Sequence, residues 1–236
     1  MSLIDKLLIL LDDGKKRDLE QILYHFSDQT KQIISATLGR MISKKLISKH
    51  NNKYSINKSS QIVITKHLDR LNRFDNRTTI KKITFIMFNI PEKQRLFRDI
   101  LRNHLSKYAY GRLHNTLWIK TDSDITQLSN IIKELQIHKY ITIFDANIDK
   151  KNLDTIINKT HWNFKDINNN YKNFIIQSKE YLKNSNKSKL QARCLVYKLA
   201  KISTTDPLLP EEYCDINKYE GFNAFKIKEK ISKFCY

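Results

Sequence analysis

The residue types that carry out chemistry are present but scattered. Seven histidines, His25, His50, His67, His104, His114, His138 and His161, show no spacing that would place two metal ligands side by side. Cys194, Cys214 and Cys235 lie 20 and 21 residues apart and form no CxxC pair. Neither a zinc site nor a disulfide framework is expected, and free thiols fit a reducing cytoplasm. Gly14, Gly39, Gly111 and Gly221 are too dispersed for a glycine-rich phosphate cradle. No Ser/His/Asp set or carboxylate pair follows from spacing, so the expectation is no catalytic residue, no metal and no cofactor. One cluster stands out: Arg95, Arg98 and Arg102 recur at i, i+3 and i+7 and share a helix face. Such a face can clamp an anionic small molecule. A solvated face with Asp99 as local partner is the commoner explanation.

Charge narrows the partner. The 236 residues carry 43 Lys+Arg against 24 Asp+Glu, a formal charge of +19, which points to a polyanion. Of the 43, 33 are lysine and only 10 arginine, a bias typical of AT-rich coding sequence, so part of the excess reflects drift. The excess is also spread evenly, +7, +5 and +7 over residues 1–78, 79–146 and 147–236, and does not locate a site. Hydrophobic residues make up 40%, enough for real cores, and the length suggests two or three small domains. No stretch approaches the roughly 18–20 apolar residues of a membrane span. Met1–Asp5 resembles neither a signal peptide nor a lipidation signal. A cytoplasmic protein without a membrane partner is expected.

The elements in residues 1–78 position the first candidate site. Leu3, Leu7, Leu10 and Leu11 recur at helical spacing before Gly14, and Leu19, Ile22, Leu23 and Phe26 make a second short helix. Ser27-Asp28 is the expected N-cap of a third helix running to about Lys45. Leu46 to Ile56 reads as two short strands around a His50-Asn51-Asn52 tip. Three helices followed by a basic hairpin is the order of a winged helix-turn-helix. On a helical wheel Ile34, Leu38, Met41 and Ile42 form the apolar side of the third helix. Opposite lie Gln29, Gln32, Ala36, Gly39, Arg40 and Ser43. Gln can read adenine, Arg can read guanine, and the small residues allow a close approach to bases. A solvated face of an ordinary helix is the alternative, and the adjacent wing outweighs it. Lys49, His50 and Lys53 near the wing tip, with Lys44 and Lys45 beside the helix, are expected phosphate contacts. A linking helix from Ser59 to about Arg73 follows, where Arg70, Arg73 and Arg77 either extend that footprint or belong to a solvated connector.

Residues 79–147 read as β-α-β-β-α-β, a ferredoxin-like unit. Ile83 to Phe88 is a nearly continuous apolar strand ended by Asn89-Ile90-Pro91, and a helix follows over Glu92 to Lys107. Tyr110–Leu113 and Leu117–Ile119 are two short strands. Asp124 to Leu135 is a second helix and Tyr140 to Phe144 a last strand.

Several short motifs then occur in a telling order. Phe85 to Glu92, Arg98 to Arg102, Tyr110-Gly111-Arg112-Leu113 and Leu117-Trp118-Ile119 resemble the central domain of the PaaX family, bacterial repressors of phenylacetate catabolism and their relatives. Asp206-Pro207-Leu208-Leu209-Pro210 resembles that family's DPxLP, and Tyr219-Glu220-Gly221 stands where Trp-Pro-Gly is usual. The resemblance implies a dimeric repressor whose winged helices bind an operator and are released by a small effector, an acyl-CoA in the phenylacetate system. The family's middle domain is similar in fold to the small subunit of CRISPR adaptation complexes, some of which have been regarded as metal-dependent nucleases using an Asp after the first strand. Here that position is Asn89, which supplies no charge to hold a metal ion or activate water.

Residues 148–236 read as mostly helical. Trp162 to Leu182 suggests a helix interrupted or begun near Asn168–Asn170, Leu190 to Ile202 a firmer helix, and Phe222 to Phe234 a terminal one. The combined expectation is an α+β protein: a winged helix-turn-helix (1–78), a βαββαβ ferredoxin-like domain (79–147) and a mostly helical C-terminal domain (148–236). Its expected partners are double-stranded DNA, a second copy of itself, and an acyl-CoA or other anionic small molecule at Arg95, Arg98 and Arg102. A metal-dependent nuclease or a CRISPR-adaptation-like subunit, with Asn89, Glu92 and Asp122 nearby, is the competing reading.

Overall fold

The computed structural model describes residues 1–75, 80, 82–121, 125–214 and 219–235, leaving aside the side chains of 73–75. The expected contacts Arg73 and Arg77, and also Asp122, lie outside that description. The chain divides into two compact units. One is formed by Met1–Arg70, Phe174–Ala200 and Asn223–Tyr236, the other by Leu71–Asn173 and Lys201–Phe222.

In the first unit, reciprocal caps begin the helices. Ser2 and Asp5 form a capping box at the start of α1 (Leu3–Leu11), and Asp18 and Gln21 form one at α2 (Leu19–Tyr24). Gly14, at φ +76°, takes the left-handed turn after α1. The third helix, α3 (Lys31–Ser43), is capped by Thr30, whose hydroxyl accepts the Ile33 amide at 3.3 Å. This corrects the expected cap at Ser27-Asp28. The Gln29 amide donates to the Phe26 carbonyl at 2.9 Å and closes a turn, which delays helix entry to Thr30. The far end also comes early. Leu46 N–H reaches Met41 O at 2.9 Å and Lys45 N–H reaches Ile42 O at 2.8 Å, a Schellman ending with Lys45 at φ +55°. Glycine usually marks that position, so a lysine there concealed the helix stop.

The hairpin β1 (Ile47–His50) and β2 (Lys53–Ile56) turns through Asn51 and Asn52, at φ +47° and +59°. Positive φ at both central residues is the I′ geometry that matches strand twist, and asparagine tolerates it. The backbone of Arg17 bridges Tyr54 through two hydrogen bonds of 3.1 and 2.7 Å, adding a third partner to the wing. Leu7, Leu10, Leu11, Ile22, Ile34, Leu38, Met41 and Ile47 form the core under it. In α4 (Lys58–Asp75), Ile64 packs with Ile9 and Tyr197, and His67 Nδ1 lies 3.0 Å from the Tyr197 hydroxyl. Ile62 and Val63 of the same helix are exposed.

The second unit holds a four-stranded antiparallel sheet in the order β4-β5-β3-β6, the ferredoxin-like arrangement. Its strands are β3 (Ile83–Phe88), β4 (Gly111–His114), β5 (Leu117–Lys120) and β6 (Ile141–Ala146). Strand β3 reads as a nearly continuous apolar run because both its faces are covered along most of its length, Met87 alone among its residues being exposed. Ile86 and Phe88 pack with Leu101 and Leu105 of α5 (Arg95–Lys107) and Leu128 of α6 (Thr126–Glu134). Ile83 and Phe85 pack with Leu153 and Ile157 of α7 (Lys150–Lys159) and with Leu209. Helix α7 was not anticipated. Glu92–Gln94 forms a separate 3₁₀ turn after Pro91, not the first turn of α5.

Helix α8 (Phe164–Lys183) runs through Asn168–Asn170 without a break, contrary to the expected interruption. Asn168 Oδ1 accepts the Glu220 amide at 3.1 Å, so that side chain is engaged elsewhere and does not compete for its own backbone. The remaining helices are α9 (Lys189–Ser203) and α10 (Gly221–Ser232). No helix among the described residues is long and apolar enough to cross a membrane.

Candidate nucleic-acid interface

Helix α3 buries Ile34, Leu38, Met41 and also Thr37, while Ile42, expected in the core, is exposed. The opposite face leaves Gln32, Ala36, Gly39, Arg40 and Ser43 open to solvent. Gln29 does not belong to that face; it is half-buried in the turn before the helix. A Cβ on Gly39 would meet nothing within 4 Å, so nothing inside the protein requires a glycine there. Ser43 donates to the Arg40 carbonyl at 2.9 Å.

Arg40 is not a free-swinging cation. Its Nη2 donates to Thr37 Oγ1 at 3.0 Å, and Thr37 Oγ1 donates to the Ile33 carbonyl at 2.8 Å. Thr37 is 1% exposed, so its hydroxyl is a fixed anchor that draws the guanidinium back along the helix. Ile33, 47% exposed and seven residues before Arg40, lies on the same ridge. The wheel did not single out Thr37, Ile33 or exposed Lys31. A threonine within an apolar side was the available signal for the anchor.

The wing carries exposed Lys49, His50 and Lys53, and exposed Lys44 and Lys45 follow α3. His50 pairs in register with Lys53, and Lys49 Nζ stands 5.4 Å from the centre of the Tyr54 ring opposite it. Ser48 and Ser55 pair through their hydroxyls at 3.1 Å. Arg17, which joins β2 at Tyr54, grips Asp13 bidentately at 2.7 and 2.5 Å. That grip is the largest cause holding the Asp13 carboxyl below its usual 3.8. Exposed Lys15 and Lys16 immediately precede Arg17 and add cations that the hairpin pattern alone did not indicate. Arg70, considered for the phosphate footprint, is only 7% exposed.

In the second unit the three arginines of α5 already have partners. Arg98 donates to Glu92 at 2.9 Å, Arg95 and Arg102 each stand 3.7 Å from Asp99, and Arg102 also donates to the Asn115 carbonyl. Asn89 is exposed, with its amide donating to the Tyr140 carbonyl at 2.9 Å. No group of three or more His, Cys, Asp or Glu residues suited to a metal ion occurs among the described residues.

The motif residues outside the sheet converge on one buried carboxylate. Asp206 is 1% exposed and accepts from the hydroxyls of Tyr171, at 2.6 Å, and Tyr219. Its other oxygen accepts the Leu208 amide at 2.8 Å, holding Leu208 at φ +53°. Burial, reinforced by the Asp206 charge, pushes the Tyr171 phenol well above its ordinary range and keeps it a donor. A Cβ on Gly221 would strike the Tyr219 ring. Gly111 has a similar reason: a Cβ there would collide with Thr160 and come within 2.7 Å of Trp162.

Residues 81–157 match the family model of the PaaX protein central Cas2-like domain. No curated protein matches the chain. A solved structure titled "Uncharacterized protein Rv0674 from Mycobacterium tuberculosis" is similar over 88% of this chain and 84% of its own, with a TM-score of 0.54 at 12% identity. At that identity the likeness is one of fold. Residues 81–157 thus carry a domain of the PaaX central Cas2-like kind.

Proposed function

We propose that this protein is a sequence-specific DNA-binding transcriptional regulator that reads duplex DNA with α3 and grips its phosphates with the wing. The PaaX-type central domain at residues 81–157 suggests a transcriptional regulator. The observation that carries the finer reading is the ridge of Gln32, Ile33, Ala36 and Arg40, with its arginine anchored and lysines on both sides. Gln32 suits adenine, Arg40 suits guanine and Ile33 suits a thymine methyl group. Lys44, Lys45, Lys49, His50 and Lys53 supply orientation and salt-dependent affinity. Gln29, half-buried, contributes through the turn that leads into α3.

The proposal includes a homodimeric repressor on a palindromic site, with two recognition helices about 34 Å apart. It also includes relief by an anionic effector such as an acyl-CoA. At Arg95, Arg98 and Arg102 that effector would have to displace Glu92 and Asp99. The boundaries 1–78, 79–147 and 148–236 belong to the same proposal. A metal-dependent nuclease has less support, since Asn89 brings no charge and Glu92 is engaged by Arg98. Footprinting on genomic fragments tests the proposal. Discrete protected sites are expected, and uniform coverage without preference would refute it.

A further inference from the structure

The first unit also contains an open cavity of about 710 Å³ that DNA reading leaves unused. That volume lies within the range of small-molecule sites. It is lined by α1, the turn between α2 and α3, and helices α8 and α9. Its apolar wall includes Phe26 and Tyr181, both buried, and half-buried Leu190 and Leu195. The Tyr181 hydroxyl donates to the Ser188 carbonyl at 3.2 Å, so it is already committed.

The charged groups of the lining are sorted by depth. Lys6 and Lys198 are half-buried, while Asp28 and Glu180 are exposed at the rim, where water and salt screen them. Lys198 Nζ donates to Gln177 Oε1 at 2.6 Å, a neutral partner. Burial alone lowers its pKa. An ammonium partly removed from water and held by an amide gains most from an added anion.

We propose that this cavity binds a small amphipathic carboxylate, with its apolar body against Phe26, Leu190 and Leu195 and its carboxylate on Lys198. The turn His25–Asp28 that borders the cavity leads directly into Thr30, the cap of α3. An occupant therefore bears on the placement of α3, and this consequence for DNA rests on the function proposed above. Binding of the carboxylate itself does not.

Calorimetric titration of the full chain with octanoate, and with octanamide as the uncharged counterpart, tests the site. One saturable site is expected for octanoate, about tenfold or more tighter than for octanamide, as one charge-assisted hydrogen bond would give. Lys198→Met should abolish that discrimination. Leu195→Trp, which fills the cavity from the apolar side, should weaken both ligands and provides the reading if Lys198→Met fails to fold. Equal affinity for acid and amide, no octanoate binding at millimolar concentration, or binding untouched by Leu195→Trp would overturn the proposal. In a DNA titration, octanoate should shift affinity several-fold for the wild type; an unchanged affinity with the site occupied overturns the coupling to α3. If octanoate binds as expected and no duplex is preferred, the DNA reading fails and the site stands.

Discussion

Arg40 Nη2 donates to Thr37 Oγ1 at 3.0 Å, tying an exposed arginine to the hydroxyl of a residue that is itself only 1% exposed. Preorganisation of this kind lowers the conformational entropy lost when the arginine meets a base. On the proposed DNA reading, Thr37 is a positioning residue. Thr37→Val keeps its shape and removes both its hydrogen bonds, so it should reduce discrimination at the base pair read by Arg40 by about 0.5–1.5 kcal/mol. Competition binding with a site altered at that pair measures it. A loss of affinity equal for all sequences would instead mean that Thr37 acts only on the fold.

The phosphate contacts proposed for the wing make a different prediction, because such contacts carry no sequence information. Lys49→Ala and Lys53→Ala should each lower the slope of log affinity against log salt by about 1, leaving preference unchanged. Titrations at several salt concentrations read this directly.

Asp206 gathers the Tyr171 and Tyr219 hydroxyls and the Leu208 amide in a buried setting. Tyr171→Phe should cost about 1.5–3 kcal/mol of unfolding free energy, the range for a hydrogen bond to a charged group. Tyr171→Phe with Tyr219→Phe should depart from the sum of the single changes, since both act on one carboxylate. Urea unfolding followed by circular dichroism gives both quantities.

Acid should weaken the wing's support in a defined direction. The Arg17 hydrogen bond holds the Asp13 carboxyl below its usual 3.8. A depressed folded-state pKa contributes stability that is present above the unfolded value and is lost as pH falls through the folded one. Wild type should therefore lose more melting temperature than Asp13→Asn between pH 5 and pH 3. Parallel losses in the two proteins would show that the pair contributes nothing to acid sensitivity.

Much of this architecture was legible because local signals and burial agree. The helices of residues 1–43 follow the leucine and isoleucine spacing, and Asn51-Asn52 marks the hairpin turn through its tolerance of positive φ. What was hidden depended on tertiary partners. Lys45 ends α3 in a conformation where a glycine was the expected sign. Asn168 sits inside α8 because the backbone amide of Glu220, distant in sequence, donates to its side-chain oxygen. Ile42 and Thr37 exchange the places that hydropathy would assign them. Helix α7 has only Leu153 and Ile157 fully buried, too sparse a pattern to announce itself. The candidate face of α3 was legible as a stripe of small and polar residues. The anchoring of its arginine was not, since it depends on a side-chain hydroxyl within the apolar side.

Selection of preferred duplexes from a random pool, carried out with wild type and Arg40→Ala, tests the central claim most directly. The account predicts a reproducible motif with two half-sites one helical turn apart for the wild type. With Arg40→Ala it predicts relaxed choice at one base pair per half-site, worth about 1–3 kcal/mol. No enriched motif with the wild type, or the same motif undiminished with Arg40→Ala, would contradict it.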